Sequence, residues 1–273
     1  MSSLDHSATI APFTPDSRFV GRVVPAVNVE PRRDGLTPRL LILHYTGMSS
    51  AEKAIQWLAC AQSKVSCHYV IDEAGAITQL VPEGLRAWHA GISSWAGEQD
   101  INSTSIGIEI QNPGHDQGYP EFPPAQMAAV IALSRDIVIR NGLRPRDVVA
   151  HSDVAPARKI DPGEKFDWRL LHLQGVGHWV EPEPVDPADP GLGEASLGEA
   201  SLGEGTRDPR VLSVQEALAA YGYGVEPSGM LDAGTAYALR AFQLHFRPAR
   251  VDGRLDHSTA STLSRLLAAL PLS

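Results

Sequence analysis

A five-residue repeat near the C-terminal end divides the sequence into two parts of different character. Residues 191–205 read Gly-Leu-Gly-Glu-Ala, Ser-Leu-Gly-Glu-Ala and Ser-Leu-Gly-Glu-Gly, and a stretch rich in proline and acidic residues precedes them. Sequence of such low complexity cannot bury a core, and spacers rich in glycine and serine behave as coils. We therefore predict that residues 181–205 form a flexible linker and that the parts on either side of it move independently.

Strand-like and helix-like runs alternate in the longer part, before the linker. Four consecutive apolar residues lie within 39–46, a pattern typical of a strand covered on both faces. Residues 105–110 alternate between small or polar residues and isoleucine, so Glu109 is expected opposite the isoleucines, with Gly107 leaving space beside it. Further strands are predicted at 66–71 and 76–81, and helices after a capping box of Ser49 and Glu52, at 124–140 and at 168–173.

This alternation predicts an α/β fold, with a central mixed β-sheet flanked by helices, for residues 36–180. Residues 1–35 show little periodicity and are predicted to be an extended lead-in. Residues 206–273 contain three runs with apolar stripes at helical spacing, which predict a small C-terminal three-helix bundle.

Composition narrows the classes of function. A net charge of −9 and a pI near 5.5 argue against a protein that binds duplex nucleic acid, which usually carries a basic surface. No apolar run is long enough for a membrane span. Residues 1–17 lack the basic and apolar regions of a signal peptide, so we expect a cytoplasmic protein. We also expect it to be a monomer. Export to the periplasm or cell wall by an unrecognised route is the alternative. Cys60 and Cys67 are expected to be reduced.

Two of the strand-like runs end in a histidine, and one of them is followed by a carboxylate. His44 follows Leu40–Leu43, His151 follows the apolar residues 148–150, and Asp161 lies in the loop after His151. Catalytic zinc sites commonly use three such side chains and leave the fourth position to water. The sequence therefore predicts a Zn²⁺ site, although strand-end histidines and an aspartate in a turn are also common without a metal.

Several segments between residue 39 and about 180 form a combined pattern, namely Leu41-Ile42-Leu43-His44-Tyr45-Thr46, Ser66-Cys67-His68-Tyr69-Val70-Ile71, Ala87-Trp88-His89-Ala90-Gly91, Ile106-Gly107-Ile108-Glu109-Ile110-Gln111-Asn112, His151-Ser152-Asp153 and Lys159-Ile160-Asp161-Pro162-Gly163. Together they resemble the zinc-dependent N-acetylmuramoyl-L-alanine amidases of the type shared with peptidoglycan recognition proteins. Residues 208–270, with Val214-Gln215-Glu216-Ala217-Leu218, Ala238-Leu239-Arg240-Ala241-Phe242-Gln243 and Val251-Asp252-Gly253, look like a three-helix peptidoglycan-binding module.

The resemblance implies a role for each residue of the site. His44, His151 and Asp161 would bind zinc, Glu109 would be the general base, and Lys159 would help to hold the oxyanion. Glu109 could instead face solvent, and Lys159 could be an ordinary surface charge.

Four further residues are candidates for substrate binding. Trp88 and His89 lie in an irregular stretch where aromatic groups often form binding surface, and Tyr45 and Asn112 belong to the matching segments. His68 is interpreted as a hydrogen-bonded core histidine, and His115 has no motif support.

The expected activity is zinc-dependent hydrolysis of the amide between the lactyl group of N-acetylmuramic acid and L-alanine, in cell-wall turnover or recycling. Two alternatives stay open: a non-catalytic peptidoglycan-binding protein, and a zinc peptidase that cuts within the stem peptide. The sequence leaves intact peptidoglycan and soluble anhydro-muropeptides as alternative substrates.

Overall fold

The computed structural model describes residues 11–189 and 207–271, which fall into two compact units. The first unit comprises Met1–Gly91 and Asp100–Val149, and the second comprises Ile92–Gln99 and Ala150–Ser273. Residues 190–206, which include most of the linker predicted at 181–205, lie outside the described residues.

The first unit is built on a mixed β-sheet flanked by helices, which confirms the predicted α/β class. Six strands lie in the order β1-β5-β4-β7-β3-β8, with β4 and β5 antiparallel and the pairs β1–β5, β4–β7 and β3–β7 parallel. Strands β2 and β6 form a separate antiparallel pair. The elements are β1 (Arg22–Val23), β2 (Val29–Pro31), β3 (Leu40–Tyr45), α1 (Ala51–Ala59), β4 (Tyr69–Ile71), β5 (Ile77–Gln79), β6 (Leu85–Ala87), α2 (Ile101–Thr104), β7 (Ser105–Ile110), α3 (Pro124–Asn141) and β8 (Val148–Ala150), whose last residue begins the second unit.

The centre of this sheet is the pair β3–β7, and the sequence predicted both strands closely. The four apolar residues Leu40–Leu43 are buried, as expected for a strand covered on both faces. The parallel register places His44 opposite Glu109. Two residues with predicted chemical roles therefore become neighbours at one end of the sheet.

Helix α1 begins one residue later than predicted. The side chain of Ser50, not Ser49, caps it by accepting a hydrogen bond from the amide of Lys53. The predicted capping box of Ser49 and Glu52 is therefore wrong, and Glu52 instead forms an ion pair with Arg22. Helix α3 ends at Asn141, and Gly142 caps it in the left-handed conformation.

Short elements were missed in the predicted lead-in and after residue 82. Strand β1 belongs to the six-stranded sheet, and strand β2 belongs to the two-stranded one. Arg32 is buried, and its guanidinium donates to the carbonyl oxygens of Glu83, Ser103 and Ser105. Part of the predicted extended lead-in, residues 22–32, therefore contributes strands and hydrogen bonds to the first unit. Strands of two or three residues are too short to show a periodicity.

The second unit contains five helices among its described residues. They are α4 (His151–Val154), α5 (Trp168–Leu173), α6 (Pro209–Tyr221), α7 (Ala233–Phe246) and α8 (His257–Ala268). The last three confirm the helices predicted in the C-terminal part. Each of these three begins with an aspartate cap, and the cap residues are Asp208, Asp232 and Asp256.

Two buried glutamines organise the loops between these helices in the same way. The side-chain oxygen of Gln215 accepts from the amides of Ser228 and Gly229, and that of Gln243 accepts from the amides of Asp252 and Gly253. Each side-chain nitrogen then donates to a threonine in the first turn of the following helix, Thr235 or Thr259. The backbone amides of these loops lie outside helices and strands, so a glutamine side chain accepts their hydrogen bonds.

The C-terminal helices pack against residues that precede the linker. The His245 ring on α7 stacks on Trp168 of α5, with ring centroids 3.7 Å apart. Side chains of α7 and of the α6–α7 loop also reach Asp153 on α4. These contacts lie within the second unit, and the independent movement of the parts on either side of the linker stays a prediction.

Two other expectations concern the membrane and the cysteines. Among residues 11–189 and 207–271, none of the helices combines the length and the apolar character that crossing a bilayer requires. Both cysteines are free thiols, and Cys67 is buried.

Candidate active site

The three predicted zinc ligands come together. A ring nitrogen of His44, a ring nitrogen of His151 and a carboxylate oxygen of Asp161 all lie within 4.8 Å of one another, and the three residues are buried. Two ligands of a tetrahedral zinc ion are about 3.3 Å apart when each bond is about 2.0–2.1 Å long. Two imidazoles and one carboxylate are a donor set that zinc accepts in catalytic sites. In both spacing and chemistry the residues fit the metal that the sequence indicated.

His44 ends strand β3 and is held from the side by a second histidine. Its Nε2 lies 3.0 Å from Nδ1 of His89, and Nε2 of His89 lies 3.1 Å from Oγ of Ser105. The backbone amide of His89 is fixed in turn by the side chain of Asn102. His89 was predicted to bind substrate, but the structure places its imidazole against His44.

Gly107 is what allows His89 to occupy this position. A Cβ atom at residue 107 would lie 2.6 Å from Nδ1 of His89, closer than non-bonded atoms can approach. The sequence predicted that Gly107 leaves space beside Glu109. In the structure, the imidazole of His89 occupies the space next to Gly107. A glycine in the middle of a central strand therefore marks the close approach of another side chain.

His68 is a buried, neutral histidine of the core, as interpreted from the sequence. The amide of Gly107 donates to its Nδ1 over 3.0 Å, so the proton is on Nε2, which lies 3.1 Å from the carbonyl oxygen of Leu85. Burial, and secondarily the charge of Arg32, lowers the pKa of His68 to about 3. The ring supports strand β7 and is uncharged at neutral pH.

The other two candidate ligands belong to one loop of the second unit. Nδ1 of His151 lies 3.0 Å from Oδ2 of Asp161, and the amide of Ser152 donates to the carbonyl oxygen of Asp161. These two contacts close the loop, so the candidate ligands His151 and Asp161 lie next to each other at its two ends. Lys159 lies within this loop, partly buried, and its amide donates to the carbonyl oxygen of Ala155.

Glu109 lies on β7 beside His44 in the register of the two parallel strands. It is partly exposed, while Ile108 and Ile110 on either side of it are buried. Its charge is felt in the sheet, because burial first and then Glu109 raise the pKa of the Cys67 thiol. The structure thus places Glu109 next to His44 in the sheet, and its role as a base stays a prediction.

The predicted substrate-binding residues differ in what their side chains contact. The hydroxyl of Tyr45 lies 3.1 Å from Nδ1 of His115, whose ring stacks on Tyr119 with centroids 4.0 Å apart. The side chain of Asn112 donates to the carbonyl oxygen of Pro120 and accepts from the amide of Gly114, so it braces this loop. Trp88 is partly buried, with its amide bonded to Ser66.

Sequence reasoning missed the aromatic group formed by Tyr45, His115 and Tyr119. No sequence motif includes His115, and none points to Tyr119. A usable signal was the cluster of turn glycines, Gly114 and Gly118, in a stretch that also carries aromatic residues. Both glycines have positive φ, which lets the chain turn sharply and bring the two rings together.

Two histidines and one aspartate clustered at a mixed β-sheet flanked by helices are an arrangement typical of metal-dependent hydrolases. Comparison with known proteins specifies the family. Residues 34–164 match the N-acetylmuramoyl-L-alanine amidase family, and residues 207–263 match a putative peptidoglycan-binding domain.

Individual relatives agree with these matches. The amidase AmiD of Escherichia coli is 36% identical over 245 residues, which are 84% of this chain and 82% of the relative. AmpD of the same organism, a 1,6-anhydro-N-acetylmuramyl-L-alanine amidase, is 33% identical over 169 residues, which are 56% of this chain and 90% of the relative. The solved structure of AmpDh3 from Pseudomonas aeruginosa is 31% identical with a TM-score of 0.69, covering 100% of both chains. The chain belongs to the N-acetylmuramoyl-L-alanine amidase family, and the predicted enzyme class is confirmed.

Proposed function

We propose that the chain uses zinc, held by His44, His151 and Asp161, to hydrolyse the amide between the lactyl group of N-acetylmuramic acid and L-alanine. The observation that carries this proposal is the convergence of three buried donor atoms within 4.8 Å. Zinc in an open site supplies water with a pKa near 7 and polarises a carbonyl oxygen.

The protein side chains would perform the proton transfers and stabilise charge. Glu109 takes a proton from the attacking water and gives it to the nitrogen of L-alanine as the C–N bond breaks. The products are a lactyl carboxylate and a peptide with a free amino terminus. Lys159 supplies a positive charge near the developing oxyanion, where a preorganised cation stabilises the transition state more than the ground state.

His89 would orient His44 rather than contact the substrate. A metal-bound histidine is usually oriented by a hydrogen bond at its other ring nitrogen. The 3.0 Å contact between Nε2 of His44 and Nδ1 of His89 supports this role. The contact of His89 with Ser105 continues the chain of hydrogen bonds into strand β7.

The substrate class we favour is a soluble anhydro-muropeptide. A solved structure of AmiD contains anhydro-N-acetylmuramic acid-L-Ala-D-gamma-Glu-L-Lys; AmiD is 36% identical, and the match covers 85% of this chain and 89% of that one, with a TM-score of 0.69. AmpDh3 has likewise been solved with an anhydromuramic pentapeptide. In this chain, the rings of Tyr45, His115, Tyr119 and Trp88 are the aromatic groups that would pack against sugar or peptide. Residues 206–273 would additionally bind polymeric peptidoglycan.

Product analysis tests the activity directly. The full chain is incubated with a purified anhydro-muropeptide, and the products are identified by mass spectrometry. We expect an anhydro-sugar ending in a lactyl carboxylate and an intact stem peptide, no product after metal removal, and recovery with Zn²⁺. Binding without any product would support a recognition protein, and a shortened stem peptide would support a peptidase. Either outcome would refute the amidase proposal.

Compartment and oligomeric state remain separate proposals, namely a cytoplasmic monomer. Fractionation of cells that produce the native protein, with light scattering of the purified chain, tests both. Recovery with the periplasm or the cell wall would refute the first, and a dimer mass would refute the second.

A further inference from the structure

Asp153, a carboxylate that the proposed chemistry does not use, lies at the centre of a buried cluster two residues after His151. Its side chain has no exposed surface and receives three hydrogen bonds. The amide of Ala150 and Nδ1 of His245 donate to Oδ2, over 2.7 and 2.6 Å. The hydroxyl of Tyr223 donates to Oδ1 over 2.7 Å. Two of the three donors come from the C-terminal helical module, residues 207–271.

These donors are fixed by their own surroundings. His245 lies between two aromatic rings, with its centroid 3.7 Å from that of Trp168 and 3.7 Å from that of Phe246. Tyr223 is buried beside Trp95, and burial together with the charge of Asp153 raises its pKa, so its hydroxyl stays protonated and can donate. A buried carboxylate is stable only when such donors are present.

The cluster bears directly on the orientation of His151. Helix α4 has four residues, His151–Val154, and a helix of one turn has no stability of its own. The hydrogen bond from the amide of Ala150 to Asp153 closes this turn, at the residue before His151. The direction of the His151 side chain therefore depends on where the carboxylate of Asp153 is held.

We infer that Tyr223 and His245 are positioning residues for His151, acting through Asp153. The helical module is then a structural part of the catalytic centre, whatever its affinity for peptidoglycan. This inference rests on the proposed function in one respect, namely that His151 binds the metal.

The test is Tyr223→Phe in the full chain, which removes one hydroxyl and keeps the ring. Zinc affinity is measured by competition with a chelator, and the cobalt-substituted protein is followed by its visible absorption spectrum. We expect zinc affinity to fall about 10–100-fold, the effect typical of losing a partner behind a metal ligand, with an altered cobalt spectrum. On a soluble anhydro-muropeptide, kcat should fall while KM stays near the wild-type value.

A second pair of variants separates positioning from packing. His245→Asn keeps a nitrogen donor near the position of Nδ1, whereas His245→Leu removes the donor. The asparagine variant should therefore retain more zinc affinity than the leucine variant. This pair decides the question if Tyr223→Phe does not fold.

Tyr221→Phe is the matched control. Tyr221 is as buried as Tyr223 and belongs to the same module, but its hydroxyl lies 2.9 Å from Nδ1 of His178. This variant should keep wild-type zinc affinity and cobalt spectrum. The inference fails if Tyr223→Phe stays within about twofold of wild type in zinc affinity, or if Tyr221→Phe loses as much. Because zinc binding is measured without substrate, a wild-type protein that binds zinc but forms no product would refute the proposed activity and leave this test intact.

Discussion

The two candidate histidine ligands belong to regions of the molecule that are held in place by different interactions. His44 ends a strand whose backbone pairs with β7 along its whole length, and its ring contacts residues of the same unit, such as His89. His151 begins a helix of four residues, and the carboxylate that closes this turn is held by Tyr223 and His245. One ligand is fixed by a sheet, and the other by side chains far away in the sequence.

This difference determines which substitutions should change the position of each ligand. A strand in the middle of a sheet keeps its position through many backbone hydrogen bonds, so the loss of one side chain changes it little. A single helical turn has few such bonds, so it depends on individual side chains. We call the six-stranded sheet that holds His44 the sheet region, and residues 151–161, which hold His151, the loop region. We therefore expect the position of His44 to tolerate substitutions at the edge of the sheet. The position of His151 should respond to substitutions far away in the sequence.

Removal of either candidate histidine ligand should have the largest effect, and the loss should be the same in both regions. His44→Ala and His151→Ala should each lose bound zinc and activity together, because three ligands are needed to hold zinc in an open site. Zinc content by atomic absorption and turnover of an anhydro-muropeptide are the measurements. His172→Ala, which alters a histidine on α5, is the control and should keep both. Full turnover in either ligand variant would refute the metal site.

The general base belongs to the sheet region. Glu109→Gln is nearly isosteric, so zinc content and melting temperature should stay at the wild-type values. Turnover should fall about 10²–10⁴-fold, the usual contribution of a general acid–base group. A rate within about threefold of wild type would place the base elsewhere.

Lys159 is its counterpart in the loop region. Lys159→Met keeps the aliphatic stem and removes the charge, so kcat should fall about 10²–10³-fold, as when one oxyanion donor is lost. Zinc affinity should not change, because a cation is not a ligand. Lys165→Met, a charge change in the same unit, is the control; equal losses in both variants would assign the effect to overall charge.

Gly107→Ala tests how the sheet region holds His44. The new methyl group would displace the imidazole of His89, because no carbon can lie 2.6 Å from its Nδ1. We expect unfolding free energy to fall by about 1–3 kcal/mol, as for an overpacked core, and zinc affinity to weaken. Gly84→Ala is the control, since a Cβ atom there would meet nothing within 4 Å. Unchanged zinc affinity in a folded Gly107→Ala protein would show that His89 does not orient His44.

The smallest effect concerns acid stability of the sheet region. His68 has a pKa of about 3 in the folded protein and an ordinary value of 6.5 in the unfolded chain. Between these two pH values His68 binds a proton in the unfolded chain but stays neutral in the folded protein. The stability from this residue is complete above pH 6.5 and is lost toward pH 3, at up to about 1.4 kcal/mol per pH unit. His68→Asn should be less stable at pH 7 but should show a shallower decline between pH 6.5 and 5 in urea unfolding. Equal slopes would mean that His68 is protonated in the folded protein.

The sequence predicted the sheet region better than the loop region, for physical reasons. Strand β3 is visible in the sequence because burial on both faces requires uninterrupted apolar residues, and strand β7 is visible through its alternation. The places of His44 and Glu109 in the sheet follow from their positions on these strands. The short strand β6 and the hydrogen bonds of Asp153 leave no local pattern. Asp153 is 70 residues from Tyr223 and 92 from His245, so their proximity depends on packing that no spacing rule describes.

The two buried glutamines of the helical module make the same pattern of hydrogen bonds twice along the chain. The unit of helix, loop and capped helix that Gln215 organises is repeated by Gln243, with the same set of hydrogen-bonding groups. One amide side chain in each copy spans a loop and the first turn of the next helix, so both must stay in register with it. We therefore expect these two loops to be the least tolerant of changes in length, and a scan of single-residue insertions through the module should show two minima of tolerance, one in each copy.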